Sequence, residues 1–128
     1  MKACVDASAL LAILLDESDS LDLASRILDA EARIMSPVNY WEALVRARIL
    51  RGDGGTAELE ALIRHLGIDV VPVTADHAGL AANAAARFSK PHKARLNLGD
   101  CFAYALAVSE NATLIFKGND FSETDLKL

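Results

Sequence analysis

The sequence is poor in cysteine and aromatic residues, and these shortages limit what the chain can be. Only two cysteines occur among 128 residues, and aromatic residues make up 5%. Cys4 and Cys101 lie within apolar runs, with neither a CxxC spacing nor a nearby histidine cluster. A zinc site is therefore not expected, and both cysteines are interpreted as reduced core residues. The rest of the core must be built from Ala, Leu, Val and Ile.

Long hydrophobic runs are also absent. The apolar run at residues 9–15 is far shorter than the ~20 residues of a transmembrane helix. The chain does not begin with a basic segment that leads to a small-residue cleavage site, as a secretory signal would. We therefore expect no membrane association and a cytoplasmic location.

An excess of basic charge is the third feature that is lacking. Thirteen Lys and Arg against 18 Asp and Glu give a formal net charge of −5. The charge of the whole protein would not attract a nucleic acid, so such binding would need a local basic patch. Residues 87–95, RFSKPHKAR, form a basic segment with Arg87, Lys90, Lys93 and Arg95. Its plainer interpretation is a solvated helix end and loop.

What the chain does contain is apolar segments in an alternating order. Hydrophobic residues make up 52% and charged residues 24%, which is typical of a globular protein. No repeat or linker divides the chain, so we expect a single domain at residues 1–128. The segments KACVDA, RIMS, IDVVPV and ATLIFKGNDF predict strands, and the longer segments between them predict helices. This alternation predicts an α/β fold: a three-layer α/β/α sandwich with a parallel sheet of four to five strands.

Four acidic residues fall at or near the ends of predicted elements. Asp6 follows the first strand, and Glu42 lies in the first turns of the helix after the second strand. Asp100 opens an apolar helix, and Asp120 follows the last strand. Sites in parallel α/β sheets form outside the carboxyl ends of the strands. If the strands are parallel, we expect these acids to converge on one pocket.

Each acid also has a purely structural interpretation. Asp6 fits the N-cap of the helix that follows it, and Asp100 complements a helix N-terminus. Asn39 and Glu42 have the spacing of a capping box. Asp120, within GNDF, fits a turn. Taken one at a time, these interpretations are the better ones, and only the joint pattern favours a common site.

Convergence of the acids would have a chemical consequence. Carboxylates that approach one another repel and must either take up protons or bind a cation. Oxygen ligands suit Mg²⁺ or Mn²⁺, and His65, His77 and His92 are scattered without the spacing of metal ligands. A divalent ion held by carboxylates can polarise a phosphodiester and lower the pKa of a bound water. The pattern therefore predicts metal-dependent nuclease chemistry.

Four segments resemble, in order and spacing, the PIN-domain toxins of bacterial toxin–antitoxin pairs, the VapC type. They are VDASALLAIL, SPVNYWEALVRAR, LNLGDCFAYALA and LIFKGNDFSETDL, and together they cover essentially the whole chain. The resemblance implies one PIN domain that is an endoribonuclease, which cleaves RNA phosphodiester bonds with a metal-activated water. The implied cofactor is Mg²⁺, with Mn²⁺ as the alternative. The implied partners are the RNA substrate, a second copy in a homodimer, and a small cognate antitoxin that inhibits the enzyme.

The resemblance also implies roles for individual residues. Asp6, Glu42 and Asp100 match the catalytic acids that hold the metal, and Ser8 matches a small hydroxyl residue that helps to hold them. Many PIN domains carry a fourth acid near the end of the last strand, at a position that falls here on a glycine. Either Asp120 substitutes for this acid, or three carboxylates act together with Asn119.

The same resemblance gives the basic segment at residues 87–95 a function, because its side chains become the expected contacts to the RNA backbone. Arg46 and Arg48 are further candidates, and each is equally well explained as a solvated helix charge. Arg46 is also available to Glu42 at i+4.

Two other functions remain open at this point. A receiver-like signalling domain has a similar length, an acidic Mg²⁺ pocket and a late lysine that Lys117 could mimic. However, the sequence lacks a second acid beside Asp6 and an acid directly at the end of the third strand. The other alternative is a PIN fold used only for binding, and no feature of the sequence favours it.

Overall fold

The computed structural model describes residues 1–126 and consists of a parallel sheet covered by helices on both faces. The strands are β1 (Lys2–Val5), β2 (Ala32–Met35), β3 (Asp69–Val70) and β4 (Thr113–Ile115). The helices are α1 (Ala7–Leu14), α2 (Ser20–Leu28), α3 (Pro37–Arg51), α4 (Asp53–Leu66), α5 (Ala75–Phe88) and α6 (Leu98–Ser109). A short 3₁₀ helix, Asp120–Glu123, follows β4. The predicted α/β class is confirmed, with four strands in the described residues.

The strand order β3-β2-β1-β4 places β1 in the interior of the sheet. Cys4 of β1 pairs in parallel with Ile34 on one side and with Leu114 on the other. The chain moves outward from β1 to β2 and β3, and then returns to the opposite side of β1 to form β4. The gap between β1 and β4 is therefore a topological switch point, where ligands bind in open α/β sheets. Asp6 directly follows β1 and so lies at this point.

Alternate residues of β1 face two separate cores. Ala3 and Val5 pack with the helices α1 to α4, whereas Cys4 packs with α5 and α6. This alternation is the two-residue period of a strand, and it accounts for the three layers. No helix in residues 1–126 combines the length and the hydropathy that crossing a bilayer requires.

The segment GDGG interrupts the helices less than its composition suggests. Only Gly52 lies between α3 and α4, in a conformation with φ 68° that an L side chain rarely adopts. Gly54 and Gly55 lie inside α4, although glycine disfavours the interior of a helix. A Cβ on buried Gly55 would overlap the carbonyl of Ala47. Glycine here permits α3 and α4 to approach closely.

The third strand is shorter than the sequence predicts. The apolar segment IDVVPV forms strand structure only at Asp69–Val70. One further backbone hydrogen bond, from the Val71 N–H to the Met35 carbonyl at 3.0 Å, continues the pairing. Pro72 follows and has no N–H to donate. The edge strand therefore ends there, and the chain turns into α5.

Candidate active site

Asp6 directly follows β1 and is the N-cap of α1. Its backbone N–H donates to the Ile115 carbonyl at 3.0 Å and continues the sheet. Its Oδ2 accepts from the Ser8 N–H at 3.1 Å and from Ser8 Oγ at 2.6 Å. The side chain is 5% exposed. The predicted N-cap is confirmed, and its hydrogen bonds use Oδ2. The other oxygen, Oδ1, accepts from Asn39 Nδ2 at 3.4 Å.

Ser8 connects two strand ends. Besides donating to Asp6, its Oγ accepts from the backbone N–H of Lys117 at 3.0 Å. The hydroxyl therefore joins the segment after β4 to the carboxylate after β1. This contact orients the carboxylate, because Oδ2 accepts two hydrogen bonds from a residue that is itself held in place.

Glu42 is positioned by a residue whose role the sequence did not reveal. The N-cap of α3 is Ser36, which accepts from the Val38 N–H at 3.2 Å, and Pro37 is the first helical residue. The capping-box interpretation of Asn39 and Glu42 is therefore wrong. Asn39 lies within α3, fully buried, and its Nδ2 donates to Glu42 Oε1 at 3.0 Å.

Asp100 lies in the first turn of α6. The Asp100 N–H donates to Asn97 Oδ1 at 2.9 Å, and Asp100 Oδ2 accepts from the Asn97 N–H at 3.1 Å. This reciprocal pair is a capping box, which confirms that the acid complements the helix N-terminus. Most residues of α6 behind it are buried, so the helix itself is fixed against the sheet.

These three acids surround one cavity at the carboxyl ends of the strands. Its volume is about 210 Å³, and the polar side chains of its lining are Asp6, Ser8, Glu42, Arg46, Asn97 and Asp100. A larger cavity of about 360 Å³ lies between α5 and α6, but its lining contains no carboxylate. The acidic chemistry of the predicted site is therefore confined to the smaller cavity.

Burial raises the pKa of each acid at the cavity. It is the main cause for Asp6, where hydrogen bonds from Ser8 oppose the rise, and for Glu42, where the hydrogen bond from Asn39 opposes it. The pKa of Asp100 rises from 3.8 to about 6, first through burial and then through the charges of Asp6, Asp120 and Glu42. Removal of a carboxylate from water and the proximity of like charges both disfavour ionisation.

The donor chemistry of this cavity fits a divalent cation. Within residues 1–126, no three His, Cys, Asp or Glu side chains lie close enough to hold an ion as they stand. Each acid instead accepts hydrogen bonds from its neighbours. The oxygen donors and their mutual repulsion nevertheless suit a hard ion such as Mg²⁺. A cation would also relieve the repulsion that raises their pKa values.

Asp120 and Asn119 lie beside the cavity rather than in its lining. Both residues are exposed, and Asp120 opens the 3₁₀ helix after β4. The charge of Asp120 raises the pKa of Asp6 and of Asp100, which places it within electrostatic reach of the acids. Within the described residues, the Asn119 side chain makes no hydrogen bond to a carboxylate. Asp120 is therefore the better candidate for the fourth acid.

The basic residues divide into paired and unpaired groups. In the basic segment, Arg87 pairs with Asp125 and Lys93 pairs with Glu123, each at 3.0 Å. Lys90 is exposed, as is the fourth basic residue of the segment, Arg95, and residues 1–126 provide no ion-pair partner for either. None of the four side chains lines the acidic cavity.

Arg46 and Arg48 have different surroundings in the structure. Arg48 pairs with Asp53 at 3.1 Å, so the structural interpretation suits it. Arg46 lines the acidic cavity, and no ion pair of Arg46 occurs among the described residues. It does not pair with Glu42, whose carboxylate is bonded to Asn39 instead. Arg46 is thus a cation placed beside the acids with its charge available.

Gly99 is a second residue whose importance the sequence did not indicate. A Cβ at this position would overlap the carboxylate of Glu42, so the acid of α3 lies directly against the backbone of α6. The carbonyl of Gly99 accepts from Asn39 Nδ2 at 3.0 Å. The sequence shows a glycine immediately before Asp100. It does not show that this glycine contacts Glu42, because the two residues are distant in sequence.

Comparisons with known proteins point to one family. The family model described as PIN domain matches residues 3–127. A ribonuclease VapC of Mycolicibacterium smegmatis is 40% identical, and the match covers 95% of each chain. A VapC ribonuclease of Rhizobium meliloti is 42% identical, with 95% of this chain and 97% of that protein covered. Ribonuclease VapC30 of Mycobacterium tuberculosis is 37% identical, with 95% and 94% covered.

A solved structure shares the fold. The crystal structure of Mycobacterium tuberculosis VapC20, described as a Sarcin-Ricin loop cleaving toxin, superposes with a TM-score of 0.77. The superposition covers 98% of this chain and 97% of that one, at 16% sequence identity. At this identity the likeness concerns the fold alone.

The close contact at Gly99 generates a first prediction. The substitution Gly99→Ala should leave the protein folded, because the overlapping atoms belong to the mobile end of Glu42, but it should displace that carboxylate and weaken Mn²⁺ binding. Gly79→Ala is the matched control: Gly79 lies in α5 with open space around it, so the change should stabilise the helix by about 0.5–1 kcal/mol. Thermal melts and Mn²⁺ calorimetry measure both effects. Unchanged Mn²⁺ binding in Gly99→Ala would refute the expected role of Glu42.

The raised pKa of Asp100 generates a second prediction. A carboxyl whose pKa is about 6 when folded and about 3.9 when unfolded binds its proton more tightly in the folded state. Its stabilising contribution is full below pH 4 and is lost as the pH rises through 6. In EDTA, the Tm of Asp100→Asn relative to wild type should therefore increase between pH 4 and pH 7.

Asp125 provides a control of opposite sign. Hydrogen bonds from Tyr104 and Arg87 lower the pKa of Asp125, so this acid contributes stability above its unfolded pKa. That contribution is lost only as the pH falls below about 3.9, so the Tm of Asp125→Asn relative to wild type should stay nearly constant from pH 4 to pH 7 and rise at lower pH. A Tm difference for Asp100→Asn that stays constant from pH 4 to pH 7 would contradict the burial of this acid.

Proposed function

The chain belongs to the PIN domain family, and we propose that it is a metal-dependent endoribonuclease, the toxin of a toxin–antitoxin pair. The observation that carries the proposal is the convergence of Asp6, Glu42 and Asp100 on one cavity. These acids come from three separate parts of the chain. Besides burial, the charge of Asp6 raises the pKa of Glu42, and the charges of Asp6 and Glu42 raise the pKa of Asp100. The ribonuclease names of relatives that are 37–42% identical support the same conclusion.

In the proposed mechanism, the protein supplies the oxygen ligands and holds them in place. Asp6 and Asp100 would hold the ion directly, and Glu42 would bind it or orient its water. Ser8 keeps Asp6 in position through the two hydrogen bonds to Oδ2. A divalent ion bound there would activate a water for attack on a phosphodiester and stabilise the leaving oxygen.

Arg46 is proposed as the cation that binds the RNA phosphate at this site. It lines the same cavity as the acids, whereas no member of the basic segment does. The exposed ion pairs of Arg87 and Lys93 are weak interactions, so these side chains can exchange their acidic partners for more distant phosphates of the RNA backbone. Phosphate contacts of this kind position a nucleic acid without reading its sequence.

Two protein partners belong to the proposal. One is a small cognate antitoxin that inhibits the enzyme. The other is a second copy of the chain, and α3 presents a surface that suits it. Trp41, Val45 and Ile49 are spaced four residues apart on α3 and are 62%, 37% and 72% exposed. Apolar side chains in such a row are typical of interaction surfaces.

The contacts of Lys117 disfavour the receiver-like alternative. The Lys117 ammonium pairs with Glu17 at 2.6 Å and with Asp19 at 3.4 Å, and Lys117 is not part of the lining of the acidic cavity. The alternative of a PIN fold used only for binding is disfavoured by the three acids, Asp6, Glu42 and Asp100, that line the cavity.

Ribonuclease activity on total RNA tests the proposal. Wild-type protein should cleave RNA in Mg²⁺ or Mn²⁺ and should be inactive in EDTA. Asp6→Asn and Asp100→Asn should each lose more than about 100-fold in rate, because even residues that only support metal ligands change activity about 10–100-fold. Both variants should remain folded, since the asparagine oxygen can still accept the capping hydrogen bonds.

The control for this assay is Asp22→Asn, an exposed acid of α2 outside the cavity. It should cleave RNA at the wild-type rate. Equal cleavage by wild type and by both cavity variants would contradict the mechanism and would point to a contaminating ribonuclease. Labelling of an aspartate by acetyl phosphate would instead support the receiver-like alternative.

Arg46 and Arg48 form a matched pair for a second test. Arg46→Ala should raise KM about tenfold with little change in kcat, since a hydrogen bond to a charged group contributes about 1.5–3 kcal/mol. The logarithm of the RNA-binding constant falls linearly with the logarithm of the salt concentration. Arg46→Ala should make this slope shallower by about one. Arg48→Ala removes the same charge from the same helix, but at a site paired with Asp53, and should change neither quantity. Equal effects of both variants would show that only the net charge matters.

A further inference from the structure

Among the side-chain hydrogen bonds of residues 1–126, those of Asn39 alone reach all three segments that carry the acids. Its Nδ2 lies 3.4 Å from Asp6 Oδ1 after β1, 3.0 Å from Glu42 Oε1 in α3, and 3.0 Å from the Gly99 carbonyl in α6. Asn39 is 0% exposed. Gly99 directly precedes Asp100, so the amide lies where the three elements meet.

The orientation of this amide is determined by its surroundings. Nδ2 carries two hydrogens, and the three groups that face it are all acceptors. If the amide were rotated, Oδ1 would face two carboxylates and a carbonyl, and every contact would become repulsive. In the observed orientation, Asn39 Oδ1 is buried and is the one fully buried side-chain oxygen or nitrogen in residues 1–126 without a hydrogen-bond partner. The protein therefore tolerates an unsatisfied oxygen in order to direct Nδ2 at the acids.

A purely structural role would not require these partners. A buried polar group is normally satisfied as completely as possible, and an apolar side chain at this position would avoid the unpartnered oxygen altogether. The donor groups of Asn39 instead approach two carboxylates whose charges repel. A positive hydrogen between Asp6 and Glu42 reduces their repulsion and keeps both at the same side of the cavity.

We propose that Asn39 is a positioning residue of the metal site, which holds Asp6 and Glu42 together so that they can share one divalent ion. The inference rests on the proposed function and deepens it, because it assigns the preorganisation of the ligands to a residue that does not itself react. Mutation of a group that hydrogen-bonds a metal ligand typically weakens metal binding about 10–100-fold. Asn39 would exert this effect from inside the core.

Mn²⁺ binding by calorimetry tests the inference on the full chain. Asn39→Ala should raise the Kd for Mn²⁺ about 10–100-fold and reduce the rise in Tm that Mg²⁺ produces. Asn39→Ser keeps one short donor and should give an intermediate Kd; it also serves if the alanine variant fails to fold. Ser36→Ala is the matched control, because it removes the N-cap of the same helix without touching an acid.

The outcomes are distinguishable. A folded Asn39→Ala or Asn39→Ser that binds Mn²⁺ as wild type does would overturn the inference. An equal loss of affinity in Ser36→Ala would also overturn it, because the effect would then come from a loosened α3. If wild-type protein failed to bind Mn²⁺ at millimolar concentration, the proposed metal-dependent function would fall, and the inference with it.

Discussion

Repulsion among buried carboxylates is the interaction around which the rest of this structure is arranged. Asp6, Glu42 and Asp100 surround one cavity, and burial raises the pKa of each. The fold compensates by directing the N-termini of α1, α3 and α6 towards the same edge of the sheet. A helix N-terminus presents unpaired N–H groups and a partial positive charge. The parallel sheet makes this possible in two ways. The helices α1 and α3 follow strands and begin at the carboxyl edge, whereas α6 leads into β4 and runs back from that edge.

The element order could be predicted because it depends on local patterns. Short apolar segments alternate with long helical ones, and caps such as Ser36 before Pro37 mark the helix starts. Asp6 shows how local and functional signals can coincide. The sequence offered a cap and a metal ligand as competing interpretations, but the cap uses only one oxygen of the carboxylate. Oδ2 caps α1, and Oδ1 faces the Asn39 amide. The same holds for Asp100, whose capping box leaves it beside the other acids.

The parts that could not be predicted depend on contacts between distant positions. Asn39 reaches Asp6 across 33 residues and Gly99 across 60 residues, and one sequence contains no signal for either contact. Its local spacing to Glu42 suggested a capping box instead. The pairing of the basic segment with Glu123 and Asp125 was hidden for the same reason. The role of Gly55 could not be predicted either, because a glycine that breaks a helix and one that permits close helix packing look the same in a sequence.

The opposite charges at the cavity also order the events of the proposed reaction. A phosphodiester is an anion, and it would be repelled by three ionised carboxylates as long as no cation lies between them. Arg46 at the edge of the cavity contributes one positive charge, which does not balance three negative ones. The three acids would therefore need to hold a divalent ion before the scissile phosphate could lie among them. Together with Arg46, such an ion would neutralise the three carboxylates, so a protein with a net charge of −5 would no longer repel RNA at this cavity.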